Sequence, residues 1–171
     1  LEDVIAKSRH NQFEDISDAS NTLSKLLVET VGRQMVSDVP VGGLLSGGID
    51  SSLIVALMQQ AASRPVETFS LGFLESEHNE APQASRVAEY LGTNHHEVHV
   101  TPDQMLPLVS EMPKIYDEPF ADSSQLPTYL ITRLASQHVK VALSGDGGDE
   151  LFGGYRRYIS MRRIVKTIES F

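Results

Sequence analysis

Two short stretches of the chain carry residue types in an order suited to chemistry on phosphates. The first, "VGGLLSGGIDSSLIVAL" at residues 41–57, runs from an apolar stretch through paired glycines into a second apolar stretch. Gly43 and Gly48 are spaced as in the first half of a P-loop, but Ile49 and Asp50 follow where that loop needs its Lys and Ser or Thr. The charge-carrying position of the Walker pattern is therefore missing. What remains is "SGGIDSS", read as a turn between a strand and a helix. Gly47 and Gly48 permit positive φ and close backbone approach. Amides at a helix start, with the hydroxyls of Ser46, Ser51 and Ser52, can hold phosphate oxygens. Asp50 repels such oxygens unless a cation stands between, which makes Mg²⁺ a requirement of this reading. The plainer alternative is a strand-to-helix turn capped by Ser51.

The second stretch, "SGDGGDE" at residues 144–150, also follows an apolar run and precedes a helical one. In a doubly wound sheet, ligands bind beyond the carboxyl ends of the strands, where strand order reverses. If the first and fourth strands are neighbours, the two loops meet there. Asp146, Asp149 and Glu150 then join Asp50 in an acidic nest for Mg²⁺. A surface loop of solvated acids is the alternative. An EF-hand is excluded, since Gly148 occupies a ligand position.

The elements needed to position these loops follow from periodicity. Residues 1–20 show mixed charge and little pattern and read as a lead-in or linker. From Asn21 the spacing of Leu23, Leu26, Leu27, Thr30 and Val31 predicts one face of a helix. Pro40 opens a strand over Val41–Leu45, apolar as a strand buried on both faces should be. A helix over Ser51–Ala62, a strand over residues 66–73 and a helix over Glu80–Leu91 stopped by Gly92 follow. Then come a strand over residues 95–100, helices over Pro102–Met112 and Ser123–His138, the second capped by Asp122 or Ser123, and a strand over residues 139–143. An amphipathic stretch begins at Tyr158. Strands alternating with helices imply right-handed crossovers and an open α/β fold with a parallel sheet.

Composition narrows the function classes. The 171 residues suffice for one domain with a core, and no apolar run reaches the roughly 18 residues of a membrane span. There is no cysteine, so disulfides, thiolate zinc and a cysteine nucleophile are excluded, and a cytoplasmic setting is expected. A net charge of −9 argues against nucleic acid and anionic membranes as partners. The basic group Arg156, Arg157, Arg162, Arg163 and Lys166 reads as a solvated helix face or a contact with further sequence. The chain opens on Leu1 and reads as a segment of something longer.

With these residues in hand, "SGGIDSS" resembles the PP-loop of the enzymes that cleave ATP between its α and β phosphates. The combination of "SDVPVGGLLSGGIDSS", "DEPFADSS" and "VALSGDGGDELFGGYRRY", from about Leu23 onward, resembles the synthetase domain of glutamine-dependent asparagine synthetases of the bacterial B type. The resemblance implies a Rossmann-like open parallel sheet with helices on both faces, of the adenine nucleotide alpha hydrolase type, over residues 21–171. It implies ATP and Mg²⁺, adenylation of the aspartate side-chain carboxylate with release of pyrophosphate, and amidation by glutamine-derived ammonia. Carried over by position, Ser46, Gly47, Gly48, Asp50, Ser51 and Ser52 match the pyrophosphate loop. Leu45, Leu71, Ser144 and Gly145 match further ATP contacts, and Asp50 and Asp149 match the Mg²⁺ ligands. Asp146 stands at the position tied to forming the acyl-adenylate, where many members carry glutamate. A glutaminase domain on the same polypeptide is the implied ammonia source, and a homodimer is a further expectation. That domain and the helical region that follows the last motif are not in these residues, so the chain is expected to be incomplete for turnover alone.

Adenylation demands little covalent help from a protein: two anions must be brought together and their charge neutralised. No nucleophile elbow is present, because "ALSGD" lacks the required glycine before its serine. The string "HHEVH" offers His95, His96 and His99 around Glu97, but it is not H-E-x-x-H and lies on a strand, so a polar strand end is expected rather than zinc. "YDEPFADSS" reads either as a solvated loop or as part of the substrate pocket. Tyr155 is assigned to local packing, and Phe69 and Phe73 to the core. A β-lactam synthetase-like or tRNA-modifying PP-loop enzyme, or a degenerate nucleotide-binding module, are the competing readings.

Overall fold

Short strands alternating with helices favour a parallel sheet, and the chain forms one. The computed structural model describes residues 13–74, 79–118 and 122–169. In chain order the elements are α1 (Ile16–Gln34), β1 (Val41–Leu44), α2 (Ile49–Ala61), β2 (Glu67–Phe73), α3 (Ala81–Leu91) and β3 (Asn94–Val100). They continue with α4 (Pro102–Val109), α5 (Met112–Ile115), α6 (Gln125–Ala135), β4 (Val141–Leu143), α7 (Gly148–Phe152) and α8 (Arg156–Glu169). The strands form one parallel sheet in the order β3-β2-β1-β4. β1 and β4 are thus neighbours, and strand order reverses between them.

Alternation along β1 sends successive residues to opposite faces of the sheet. On one face Val41 and Leu45 meet α2 and α3, through Val55, Met58, Ala84 and Ala88. On the other, Leu44 and the fully buried Phe69 meet α6 and its exit, through Ile131, Leu134, Ala135 and Val139. β1 is thin: a Cβ on Gly42 would stand 2.7 Å from the Phe69 ring, and one on Gly43 would stand 3.0 Å from Val55. Gly92, at φ +69°, ends α3 as expected.

Several local expectations are corrected. α1 begins at Ile16, not Asn21, because the Asp15 side chain caps it by accepting from the Ser17 amide at 3.1 Å. Residues 16–20 of the expected lead-in are therefore helical, and residues 1–12 lie outside the described residues. Of the expected apolar face of α1, only Val31 is buried; Leu26 is 55% exposed. The helix from Pro102 breaks near Ser110, since Pro113 lacks an amide to continue it, and restarts as α5. α6 is preceded not by a side-chain cap at Ser123 but by Asp122 accepting from the Ser124 amide at 2.8 Å. β4 omits Val139, whose amide closes the end of α6 on Ala135 at 2.9 Å. Phe73 is only half-buried and faces a cavity, not the core. Among the described residues no helix is long and apolar enough to cross a membrane.

Candidate functional site

The reversal of strand order leaves a crevice above β1 and β4, and both glycine loops open into it. A cavity of about 970 Å³ lies there, at the upper end of the roughly 300–1,000 Å³ typical of ligand pockets. Its wall includes Leu45, Ser46, Gly48, Asp50 and Ser51 from the first loop, and Ser144, Gly145, Asp146 and Asp149 from the second. Leu71 joins them from β2. Gly47 and Ser52, also expected to contact a ligand, are not on this wall. Gly47, at φ +81°, lies against the start of α3: a Cβ there would be 2.8 Å from the Ala84 amide nitrogen. Only glycine meets both conditions.

The first loop is braced internally. The Ser51 hydroxyl accepts from the Ser46 amide at 3.2 Å, pairs with the Ser46 hydroxyl at 2.9 Å and donates to the Gly48 carbonyl at 3.3 Å. Ser46 Oγ in turn accepts from the Gly48 amide at 3.2 Å. Two of the three hydroxyls assigned to phosphate thus hold the loop in shape. The third, Ser52 Oγ, is the one buried side-chain oxygen without a hydrogen-bond partner among the described residues. The first turn of α2 leaves its amides without intrahelical acceptors, as every helix start does.

The second loop presses on the first through glycine. A Cβ on Gly145 would stand 2.7 Å from the Ser51 nitrogen, and one on Gly148 would stand 2.5 Å from the Asp50 carboxylate. The two loops therefore touch backbone to backbone. The Ser144 hydroxyl donates to Asp146 Oδ2 at 3.1 Å and accepts from the Asp146 amide at 3.3 Å, which fixes that carboxylate beside its own loop. Tyr155 donates to Glu150 Oε1 at 2.6 Å; this bond holds the Glu150 carboxyl below the usual carboxylate range and raises the phenol. Arg157 lies 4.2 Å over the Tyr155 ring.

All four acids of the expected nest line the cavity, but two are already engaged. Glu150 bonds to Tyr155 and Asp146 to Ser144, which leaves Asp50 and Asp149 as the two without a side-chain hydrogen bond among the described residues. Two carboxylates fit Mg²⁺, which takes one or two from the protein and completes its octahedron with water and substrate phosphates. The cradle that Gly148 forms for Asp50, which any Cβ would fill, is the local feature suited to that role.

Residues of α6, which no sequence motif marks, form a further part of the wall. Pro127, Thr128 and Ile131 of α6 close the cavity across from the loops, with Phe73 and Glu80. An apolar i, i+4 pair opening a helix resembles ordinary core, and no local motif marks it. Of "YDEPFADSS", residues 119–121 lie outside the described residues; the Tyr116 hydroxyl donates to the Gln125 carbonyl at 2.9 Å and ties this segment to α6. The side chains of Arg162, Arg163 and Lys166 also lie outside the described residues; Arg156 and Arg157 are exposed. The histidine string divides by strand alternation, His95 and His99 facing α3 with Glu97 while His96 faces α6.

Comparison with known proteins agrees with this architecture. The sequence model of the asparagine synthase family matches residues 22–169. A putative glutamine-hydrolyzing asparagine synthetase 2 of Methanocaldococcus jannaschii is 43% identical over 141 residues, covering 82% of this chain and 27% of that protein. Glutamine-hydrolyzing asparagine synthetase 1 of Bacillus subtilis is 42% identical over 135 residues (77% and 21%), and asparagine synthetase B of Escherichia coli is 37% identical over 153 residues (79% and 27%). The chain thus spans between about a fifth and a little over a quarter of these relatives. Among solved structures, an NMN synthetase from Francisella tularensis superposes with TM-score 0.54 at 20% identity, covering 79% of this chain and 58% of that one. An NH3-dependent NAD synthetase from Campylobacter jejuni gives 0.52 at 17%, covering 79% and 60%. These two likenesses carry the fold, a Rossmann-like parallel sheet with helices on both faces.

Proposed function

The chain belongs to the asparagine synthase family, and on that premise we propose that it forms the ATP-binding part of an enzyme making asparagine from aspartate. The aspartate side-chain carboxylate attacks the α-phosphorus of ATP and pyrophosphate leaves; ammonia then attacks the acyl carbon and AMP leaves. The observation that carries the reading is the backbone contact of the two glycine loops, Gly145 on Ser51, at the point where strand order reverses.

The residues divide the work by chemistry. The α2 amides would receive the leaving pyrophosphate, with Ser46 and Ser51 holding the loop that presents them. Asp50 and Asp149 would hold Mg²⁺, which supplies charge neutralisation between triphosphate and protein. Leu45, Leu71 and the α6 wall offer apolar contact to the base. Asp146, kept close to its loop by Ser144, would orient the acyl acceptor. The glutamine-hydrolyzing names of the relatives support glutamine as the ammonia source; a glutaminase domain on the same polypeptide would deliver it, in the cytoplasm.

Calorimetric titration of the chain with ATP, with and without Mg²⁺, tests the site. Binding is expected only with Mg²⁺ and should be lost in Asp50→Asn. Equal binding by a folded Asp50→Asn chain would overturn the assignment of the metal. Aspartate-dependent release of pyrophosphate by the longer protein tests the acceptor, and release with glutamate in place of aspartate would refute it.

A further inference from the structure

At the opposite end of the sheet from the cavity, three ligating side chains from distant parts of the chain converge. Glu67 is the first residue of β2, His96 lies near the start of β3, and His138 lies in the turn between α6 and β4. Each offers one ligand atom, and these atoms lie within 4.8 Å of one another; among the described residues no other group of three or more His, Asp or Glu does so. His96 Nε2 is 2.6 Å from Glu67 Oε2, and the two imidazole rings have centroids 3.8 Å apart.

The surroundings orient these groups. The Asn94 amide nitrogen donates to both Glu67 oxygens, at 2.7 and 2.9 Å, so the carboxylate plane is held from outside. Asn94 stands opposite Glu67 in the strand register, as His96 stands opposite Phe69. The buried Phe69 ring backs His96 with centroids 5.3 Å apart and planes 16° from parallel. His138 is exposed, but Val139 beside it is anchored in the core, and its own amide bonds to the Ala135 carbonyl at 2.9 Å. A simple His–Glu ion pair uses one imidazole; here a second imidazole lies against the first, and an amide steers the shared carboxylate. Orientation of ligands by outer hydrogen bonds is the mark of a metal site.

We propose that Glu67, His96 and His138 bind a zinc-class divalent ion, as a site separate from the nucleotide cavity. Two neutral imidazoles and one carboxylate suit Zn²⁺ and leave a fourth, solvent-facing position for water. Tetrahedral zinc with bonds near 2 Å sets its ligand atoms about 3.3 Å apart. The Glu67–His96 pair, at 2.6 Å, must therefore open slightly to admit the ion. Mg²⁺ is disfavoured by the nitrogen ligands. The ion would clasp β2, β3 and the α6–β4 connection, and so hold the start of β4 in register beside β1.

Among the described residues the other histidines, His95 and His99, do not compete. Both ring nitrogens of His95 are taken, by Thr68 Oγ1 at 2.9 Å and Ser70 Oγ at 3.0 Å. His99 pairs with Glu97 on the far face of the sheet.

The test is titration of the chelator-treated chain with Zn²⁺ by calorimetry and with Co²⁺ by visible absorption. One ion per chain is expected, with the absorption of tetrahedral cobalt. Asn94→Ala should weaken zinc by about tenfold, Glu67→Gln and His138→Ala by more, and His99→Ala not at all. Zinc should raise the thermal midpoint of the parent chain and leave that of His138→Ala unmoved. Since His138 is exposed, its variant should fold even if Glu67→Gln does not, which circular dichroism verifies. Absence of zinc binding by the parent, parental affinity in folded His138→Ala, or loss in His99→Ala would each overturn the proposal.

Discussion

Alanine at position 145 should part the two glycine loops while altering no group that could bind a ligand. Gly145 is not among the glycines with positive φ, so the substitution acts through volume alone. The new Cβ would stand 2.7 Å from the Ser51 nitrogen against 3.4 Å for an ordinary contact, a deficit of 3.4 − 2.7 = 0.7 Å, with the Asp50 carbonyl carbon also at 2.9 Å. Both obstacles are backbone, in the first turn of α2 next to the Ser46–Ser51 brace, so relief must come from moving a whole loop. Overpacking of this kind costs about 1–3 kcal/mol. For a chain of this size that lowers the thermal midpoint by about 2–12 °C. The same displacement moves Asp50 relative to Asp149, so MgATP affinity should fall by about tenfold or more, about 1.4 kcal/mol. Thermal unfolding and calorimetric titration with MgATP read the two effects separately. Gly92→Ala is the control: at φ +69° with no atom within 4 Å, it carries only left-handed strain, about 1–2 kcal/mol, far from the cavity. Both variants should lose stability and only Gly145→Ala should lose MgATP. Parental affinity in Gly145→Ala, or an equal loss in Gly92→Ala, would refute the reasoning.

Ser52→Ala removes a buried hydroxyl that makes no hydrogen bond, so the ligand-free chain should be as stable as the parent or up to about 1 kcal/mol more stable. Since Ser52 does not line the cavity, MgATP affinity should stay at the parental value; chemical denaturation reads the stability and titration the affinity, and a loss of affinity would refute this placement. Acid should weaken the fold through His95, whose imidazole burial holds below its ordinary 6.5, against the pull of Glu97 and with the help of His96. The unfolded chain then binds the proton more readily, so the contribution of the neutral ring is whole above about 6.5 and is lost as pH falls through the lowered folded value. In metal-free buffer the thermal midpoint of the parent should drop more steeply between about pH 7 and 5.5 than that of His95→Gln; parallel slopes would exclude His95.

The elements carrying strong local signals were legible from the sequence. Gly92 as a helix stop, the two strand-to-helix glycine loops, and the adjacency that a shared site demands of β1 and β4 all rest on local backbone chemistry. Boundaries failed where a side chain acted across a few residues: Asp15 starts α1 early, and Pro113 divides the helix expected from Pro102. The acidic nest was legible in part. The two loops bring four acids to one cavity wall, but Ser144 and Tyr155 engage two of them. The α6 wall and the Glu67–His96–His138 group were illegible because their members are far apart in sequence and meet only through strand register and packing.

The glycine pair in the middle of β1 bears on how variants of this protein should be interpreted. Gly42 and Gly43 lie on opposite faces of β1, the first with no room for a methyl group and the second with only a tight fit against Val55 and Met58, and neither borders the cavity. A substitution scan would therefore score Gly42 as intolerant as Gly145, and Gly43 as sensitive to any larger residue. Loss of function at these positions would report the thickness of the sandwich, not the chemistry at its end. Selection acting on spacing alone can thus produce a band of invariant positions running straight into the loop, and only an assay that separates folding from nucleotide affinity distinguishes the strand from the site it supports.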